Sequence, residues 1–192
     1  MSVADPGAER RAAILDAATR VFLRYGFKKT SMDDLARAAG LSRQGLYLHF
    51  PTKEALFKEA VSTLVASLRA AFRDALARDG LPVEDRLVAA FEAANAHAIE
   101  RANAEHLNAL LEAATALVGD EIRKLDDDTV ADVTKALQRS GVATRWKSTG
   151  ISAHALAENL CATSAGLKHR VSTAAEYRER MRVAVRLVCR GA

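Results

Sequence analysis

Apolar residues recur three and four positions apart along nearly the whole of this 192-residue chain, and no stretch keeps the period of two that a half-buried strand needs. β-Branched clusters bounded by tight hairpin turns are missing too. The pattern predicts an all-α fold. A first helix over about residues 9–25 carries Ile14, Ala18, Val21, Phe22 and Tyr25 on one stripe, and Gly26 stops it. Ser31 caps a short helix over roughly 32–39, with Asp34 placed as in a capping box, and Gly40 ends it. Ser42 caps a second short helix, about 43–49, which Pro51 closes. From Thr52 onward the helices lengthen, to about 53–77, 83–102, 104–118, 120–139, 148–170 and 174–190. Breaks are expected at residues 79–82, near Gly119, over 141–150 and at 172–173.

Composition excludes several classes. Apolar residues make 49% and charged residues 27%, a globular balance far from disorder. No apolar run reaches the roughly 18 residues of a membrane span, and the charged, small-residue N-terminus carries no expectation of a signal peptide. Cys161 and Cys189 are too few for a disulfide framework or a four-cysteine zinc site. The expectation is a cytoplasmic protein with reduced thiols, no metal, no cofactor and no membrane partner. Charge is uneven. Residues 1–58 hold ten Lys/Arg against six Asp/Glu, whereas residues 59–192 hold eighteen of each, so the net +4 lies in the first third. Six of the ten aromatic residues lie there as well. A basic region of this kind suits a polyanion.

Two short helices joined through a glycine are what a helix-turn-helix requires. Leu35, Ala36 and Ala39 face inward on the first, Leu46 and Phe50 on the second, and small Ala36 lets the two cross closely. The second helix then presents Arg43, Gln44, Tyr47 and His49 outward. Arginine pairs with guanine and glutamine with adenine on the major-groove edge. The Ser42 cap, with Lys28, Lys29 and Lys53 around it, suits phosphate oxygens.

Residues 30–56, TSMDDLARAAGLSRQGLYLHFPTKEAL, closely resemble the DNA-binding signature of the tetracycline-repressor (TetR) family. Ala17, Ala18, Phe22, Tyr25, Gly26 and Phe27 resemble that family's first helix. The resemblance implies that Thr30, Tyr47, His49 and Lys53 grip the DNA backbone and that Arg43 and Gln44 contact bases. Ser31 and Ser42 join this candidate set as helix caps, and Gly45 as the position where the helix approaches the groove. Tyr47 has a second reading, packing against the first helix. No His, Cys or carboxylate is placed to make His49 a metal ligand or a catalytic base.

The resemblance further implies a DNA-binding domain at 1–52, with a flexible tail over about 1–8, and a helical dimerisation and effector-binding domain at 53–192. It also implies a homodimer through the last two helices. Small residues at Ala155, Ala162, Ala165 and Gly166 permit close helix approach, and the final helix has one stripe at Tyr177, Met181, Ala184, Val185 and Val188 and a second at Val183 and Leu187. Polar groups inside apolar stripes mark candidate ligand contacts: Asn95 beside Phe91, His106 and Thr115, and Asn159 with Thr163. Trp146 caps a pocket or pins a loop. Asp126, Asp127 and Asp128 point in three directions and read as a solvated face. No catalytic set appears, so an enzyme is not expected. The expected function is a repressor released from double-stranded operator DNA by a small-molecule effector. The alternatives are an effector-independent DNA-binding protein of the same fold and a helical-bundle carrier or enzyme.

Overall fold

The computed structural model describes residues 5–101 and 104–191, with side chains for 5–95 and 112–191; His106 therefore lies outside the described side chains. Every regular element in it is a helix. The chain divides into two compact units, residues 1–66 with 101–122 and residues 67–100 with 123–192.

In the first unit α1 spans Pro6–Tyr25 and begins earlier than the apolar stripe implies. Asp5 accepts a hydrogen bond from the Gly7 amide at 3.0 Å, and Pro6 takes the first helical position, where its missing N–H is no loss. Helix thus takes in residues 6–8, which were expected in the tail. α2 (Met32–Ala38) has a complete Ser31–Asp34 capping box. α3 (Arg43–His49) is capped by Ser42, whose Oγ accepts from the Gly45 amide at 3.0 Å. Gly40 turns between them at φ +66°, and the Leu41 amide closes back on the Ala36 carbonyl at 2.9 Å. Leu46 (fully buried), Leu35 and Ala36 lock α2 against α3 together with Phe22, Phe50 and Ile14.

α4 (Lys53–Leu76) enters this core at once. Phe57 meets Phe22 edge to face at 4.9 Å, and Leu56 and Phe57 are wholly buried. The first core therefore runs past residue 52, because the chain turns those side chains inward immediately after the Thr52 cap. Arg11 adds a bidentate pair to Glu59, at 2.6 and 2.5 Å, and lies 4.3 Å over the Phe50 ring.

The second unit takes the later part of α4, α5 (Val83–Arg101), the later part of α6 (Ala104–Arg139), α7 (Val142–Arg145), α8 (Ala153–Leu167) and α9 (Ala174–Arg190). Its core joins Phe72, Leu87, Phe91, Val133, Leu137, Leu160, Tyr177, Met181 and Val185. The two helices expected over 104–139 meet at a kink within α6, where Val118 leaves helical backbone (φ −139°, ψ 30°) just before Gly119, as the expected break implies. The helix expected from residue 148 starts later. Gly141 and Gly150, both at φ +76°, bracket α7 and a 3-10 turn at Trp146–Thr149, and Ser152 then caps α8. Trp146 pins this segment: its indole N–H donates to the Val188 carbonyl at 2.8 Å.

Candidate nucleic-acid interface and ligand cavity

With Leu46 and Phe50 turned inward, α3 has one free face. Arg43, Gln44, Tyr47 and Leu48 are exposed on it, Leu48 at 83%. The Arg43 guanidinium donates to Asp33 at 3.1 Å and lies 5.7 Å from the Tyr47 ring centroid, so Tyr47 supports Arg43 one turn away on the same face. A Cβ at Gly45 would stand 3.2 Å from Ser42 Oγ, crowding the cap that starts the helix. His49 is half-buried, and its carbonyl accepts from Arg11 at 3.3 Å.

Thr30 and Lys53 are held inside. Thr30 is buried and its hydroxyl donates to the Gly26 carbonyl at 2.7 Å. The Lys53 ammonium donates to the carbonyls of Phe27 (3.0 Å) and Thr30 (2.9 Å) and sits 4.3 Å over the Phe27 ring. These two residues fix the α1–α2 loop from within. Lys28, Lys29 and Ser31 on that loop remain exposed. Ser31 Oγ donates to the Asp34 carboxylate at 2.6 Å, and this hydroxyl, with the Ser31 amide, holds the Asp34 carboxyl below the usual aspartate range.

The second unit holds a half-open cavity of about 320 Å³, walled by Leu68, Phe72, Phe91, Leu125 and Val130. Its polar groups are Asn95, Asp126, Thr129, Cys161, Ser164 and Lys168. Asn95 and Ser164 are buried, and with Tyr177 they form a closed cluster. Asn95 Nδ2 donates to the Phe91 carbonyl at 2.7 Å and to the Tyr177 hydroxyl at 2.9 Å, and the Tyr177 and Ser164 oxygens are 2.7 Å apart. Burial pushes the Tyr177 phenol up to about 12 and the Cys161 thiol up to about 11. It also raises the Asp126 carboxyl and lowers the Lys168 ammonium, while the opposite charge of each counteracts the other's shift.

Residues 14–60 match the model of the tetR family of bacterial regulatory proteins. The family's signature thus occupies about a quarter of the chain, the stretch that folds into α1, α2, α3 and the start of α4. The transcriptional regulator EthR of Mycolicibacterium smegmatis is 39% identical over 70 residues, 36% of this chain and 32% of that protein. The chain spans about a third of the length of the curated relatives it matches. Over nearly the whole chain the fold is that of solved members. The TetR-family regulator PfmR from Thermus thermophilus superposes with a TM-score of 0.63 at 25% identity, covering 93% of this chain and 97% of that one. A TetR-like regulator from Rhodococcus sp. RHA1 gives 0.69 at 23% identity, covering 98% and 100%.

The residues singled out from sequence fall into two groups. Those of the helix-turn-helix lie together around α3 and the loop before α2. The cavity candidates scatter. Phe91 and Asn95 line it, but Asn159 is exposed on α8, Thr163 is half-buried outside the lining, and Thr115 is exposed in the first unit. Of the Asp126–Asp128 run, Asp126 and Asp127 are exposed as a solvated face implies, Asp126 at the cavity rim, whereas Asp128 is half-buried and pairs with Arg69 at 2.6 Å. Sequence reading passed over Ser164, Lys168 and the hydroxyl of Tyr177. A signal existed for Ser164, which continues the buried Leu156–Leu160 row one turn further.

Proposed function

We propose that this chain is a dimeric, sequence-specific transcriptional repressor released from operator DNA by a small molecule. The observation that carries the reading is the free face of α3. A seven-residue helix held by a cap at one end and a buried Leu46 in the middle presents Arg43, Gln44, Tyr47 and Leu48 to solvent, a set able to meet base edges and phosphates. Arg43 is already extended by Asp33 and Tyr47. Exposed Ser31, Lys28 and Lys29 supply backbone contacts, while Thr30 and Lys53 hold their loop in place.

The outer faces of the last two helices support dimerisation there. Tyr177, Met181, Val185 and Val188 are used up inside the subunit, which leaves Val183 (54% exposed) and Leu187 (68%) on α9 beside the small exposed row Ala155, Ala162 and Gly166 on α8. Two copies joined there give two recognition helices for half-sites one helical turn apart, about 34–36 Å. A ligand in the cavity shifts the dimer away from the DNA-binding form only through its differential affinity for the two forms.

The test is fluorescence anisotropy with the chain's own upstream intergenic DNA against a scrambled duplex, at two salt concentrations. Selective binding by one or two dimers per site is the expected result. Equal, weak and salt-sensitive binding to both duplexes contradicts sequence-specific recognition of that DNA and favours the effector-independent, non-specific reading.

A further inference from the structure

The cavity has an internal polarity that defines what it can hold, and this inference rests on reading the cavity as the effector site. Its inner end is set by one directed chain of hydrogen bonds. The Phe91 carbonyl can only accept, so the Asn95 amide must turn its NH2 there, and the same nitrogen donates to the Tyr177 hydroxyl and, at 3.4 Å, to Ser164 Oγ. Tyr177 is fully buried and does not line the cavity, so its own hydrogen has one outlet, Ser164 Oγ at 2.7 Å. Ser164 Oγ therefore accepts, and its hydrogen finds no acceptor among the described residues. Ser164 lines the cavity, so that hydrogen points to whatever fills it.

Cys161 and Ser164 on α8 and Lys168 at its C-cap, still in helical backbone, share one face at positions i, i+3 and i+7. Asp126, Thr129 and Val130 occupy the facing stripe of α6. Lys168 and Asp126 are near enough to shift each other's ionisation, yet no ion pair joins them among the described residues. A cation and an anion thus stand on opposing helices with the cavity between them. The remaining wall is apolar, with Phe72 and Phe91 packed edge to face at 5.5 Å.

We propose that the cavity takes an apolar zwitterion of the amino-acid type, its carboxylate accepting from Ser164 and Lys168, its ammonium facing Asp126, and its side chain lying against Phe72, Phe91 and Leu68. A plain carboxylate of the same shape leaves Asp126 facing a like charge, and a plain amine does the same to Lys168. Only a ligand carrying both charges satisfies both helices.

The test uses L-phenylalanine, 3-phenylpropanoate and 2-phenylethylamine, which share the aromatic body and differ in the charged groups. Each is titrated calorimetrically into the full chain, and operator anisotropy is read on the same samples. Phenylalanine is expected to bind at least about tenfold more tightly than either analogue. Asp126→Asn should bring phenylpropanoate level with phenylalanine, and Lys168→Met should do so for phenylethylamine. Circular dichroism verifies that each variant is folded, and the ranking on the parent protein stands independently of both. The zwitterion is overturned if an analogue matches phenylalanine on the parent, if neither variant changes the order, or if none of the three binds. An analogue that binds and releases the operator overturns the zwitterion and leaves the effector reading standing. Phenylalanine that binds without altering operator affinity does the reverse.

Discussion

The helix-turn-helix and the cavity carry their chemistry in opposite ways. Around α3 the whole candidate interface comes from one continuous stretch between Lys28 and Lys53, and its exposed residues point outward from a core that their neighbours in sequence complete. The cavity draws on α4, α5, α6 and α8, from Leu68 to Lys168, and its chemistry points inward. Seven-residue helices such as α2 and α3 are too short to persist alone. They survive because caps satisfy their first amides and because Leu35, Leu46 and Phe50 are buried at once. A surface of this kind is dictated locally, whereas a cavity is what remains when distant helices fail to fill the space between them.

The sharpest way to break this comparison is to destroy one region and watch the other. Leu46→Ala removes a fully buried side chain at the α2–α3 crossing and should cost about 2–5 kcal/mol, the range for a core leucine truncation. The single tryptophan, Trp146, reports only on the second unit, through its bond to Val188. In urea, circular dichroism of the variant should show an early loss of helix while Trp146 fluorescence keeps the parent midpoint. Operator binding should vanish. A fluorescence midpoint that falls with the helical signal means that the two units unfold as one.

The converse variant is Tyr177→Phe. It deletes the hydroxyl between Asn95 and Ser164 and leaves their polar groups with only the long direct bond from Asn95 Nδ2 to Ser164 Oγ at 3.4 Å, which should cost about 1–3 kcal/mol. Here the Trp146 midpoint should fall, and operator affinity at low temperature should stay at the parent level. If stability is unchanged, the cluster is already solvated and the cavity is wetter than its lining implies.

The contrast also explains what was legible in the sequence. The helix-turn-helix could be read because each part has a local signature: Ser31 with Asp34, Gly40 at a positive φ, Ser42 before the second helix. Helices of the second unit could be read from the same periodicity, but the start of α8 could not. Gly141 and Gly150 allow the chain to stop twice, and only the Trp146–Val188 bond shows how the intervening segment is fixed. The cavity candidates failed for a related reason. A helical wheel ranks Asn159 and Asn95 alike, yet only tertiary packing decides that Asn95 is buried beneath Tyr177 while Asn159 faces outward. Tyr177 itself counted as an apolar stripe residue, since nothing in sequence tells that its hydroxyl ends against Ser164. Thr30 and Lys53 show the limit within the well-read region. The family motif marks them, but their side chains turn to the Gly26–Thr30 backbone.

Arg43→Ala should separate a base contact from a scaffold role. Affinity for the operator should fall roughly tenfold or more, with relaxed discrimination at one base pair per half-site and an unchanged preference elsewhere. Anisotropy against a panel of single-base operator variants reads this directly. Equal losses on all sequences would make Arg43 a phosphate contact held by Asp33 and Tyr47 instead.

The smallest effect tests how far the head depends on local capping. Ser31→Ala removes the hydroxyl that accepts from the Asp34 amide and donates to the Asp34 carboxylate, and loss of such a cap costs about 1 kcal/mol. The charge part of that contribution depends on pH. The Ser31 hydrogen bonds hold the Asp34 carboxyl below its ordinary value of 3.8, so the stabilisation is fully present above that value and disappears as pH falls through the lower, folded one. The gap in urea midpoint between parent and Ser31→Ala should therefore be largest near pH 7 and narrow at about pH 3, without closing, because the amide-to-hydroxyl bond does not titrate. A gap that holds constant across this range assigns the whole effect to the uncharged cap, and Asp34 then does no more for α2 than an asparagine at the same position.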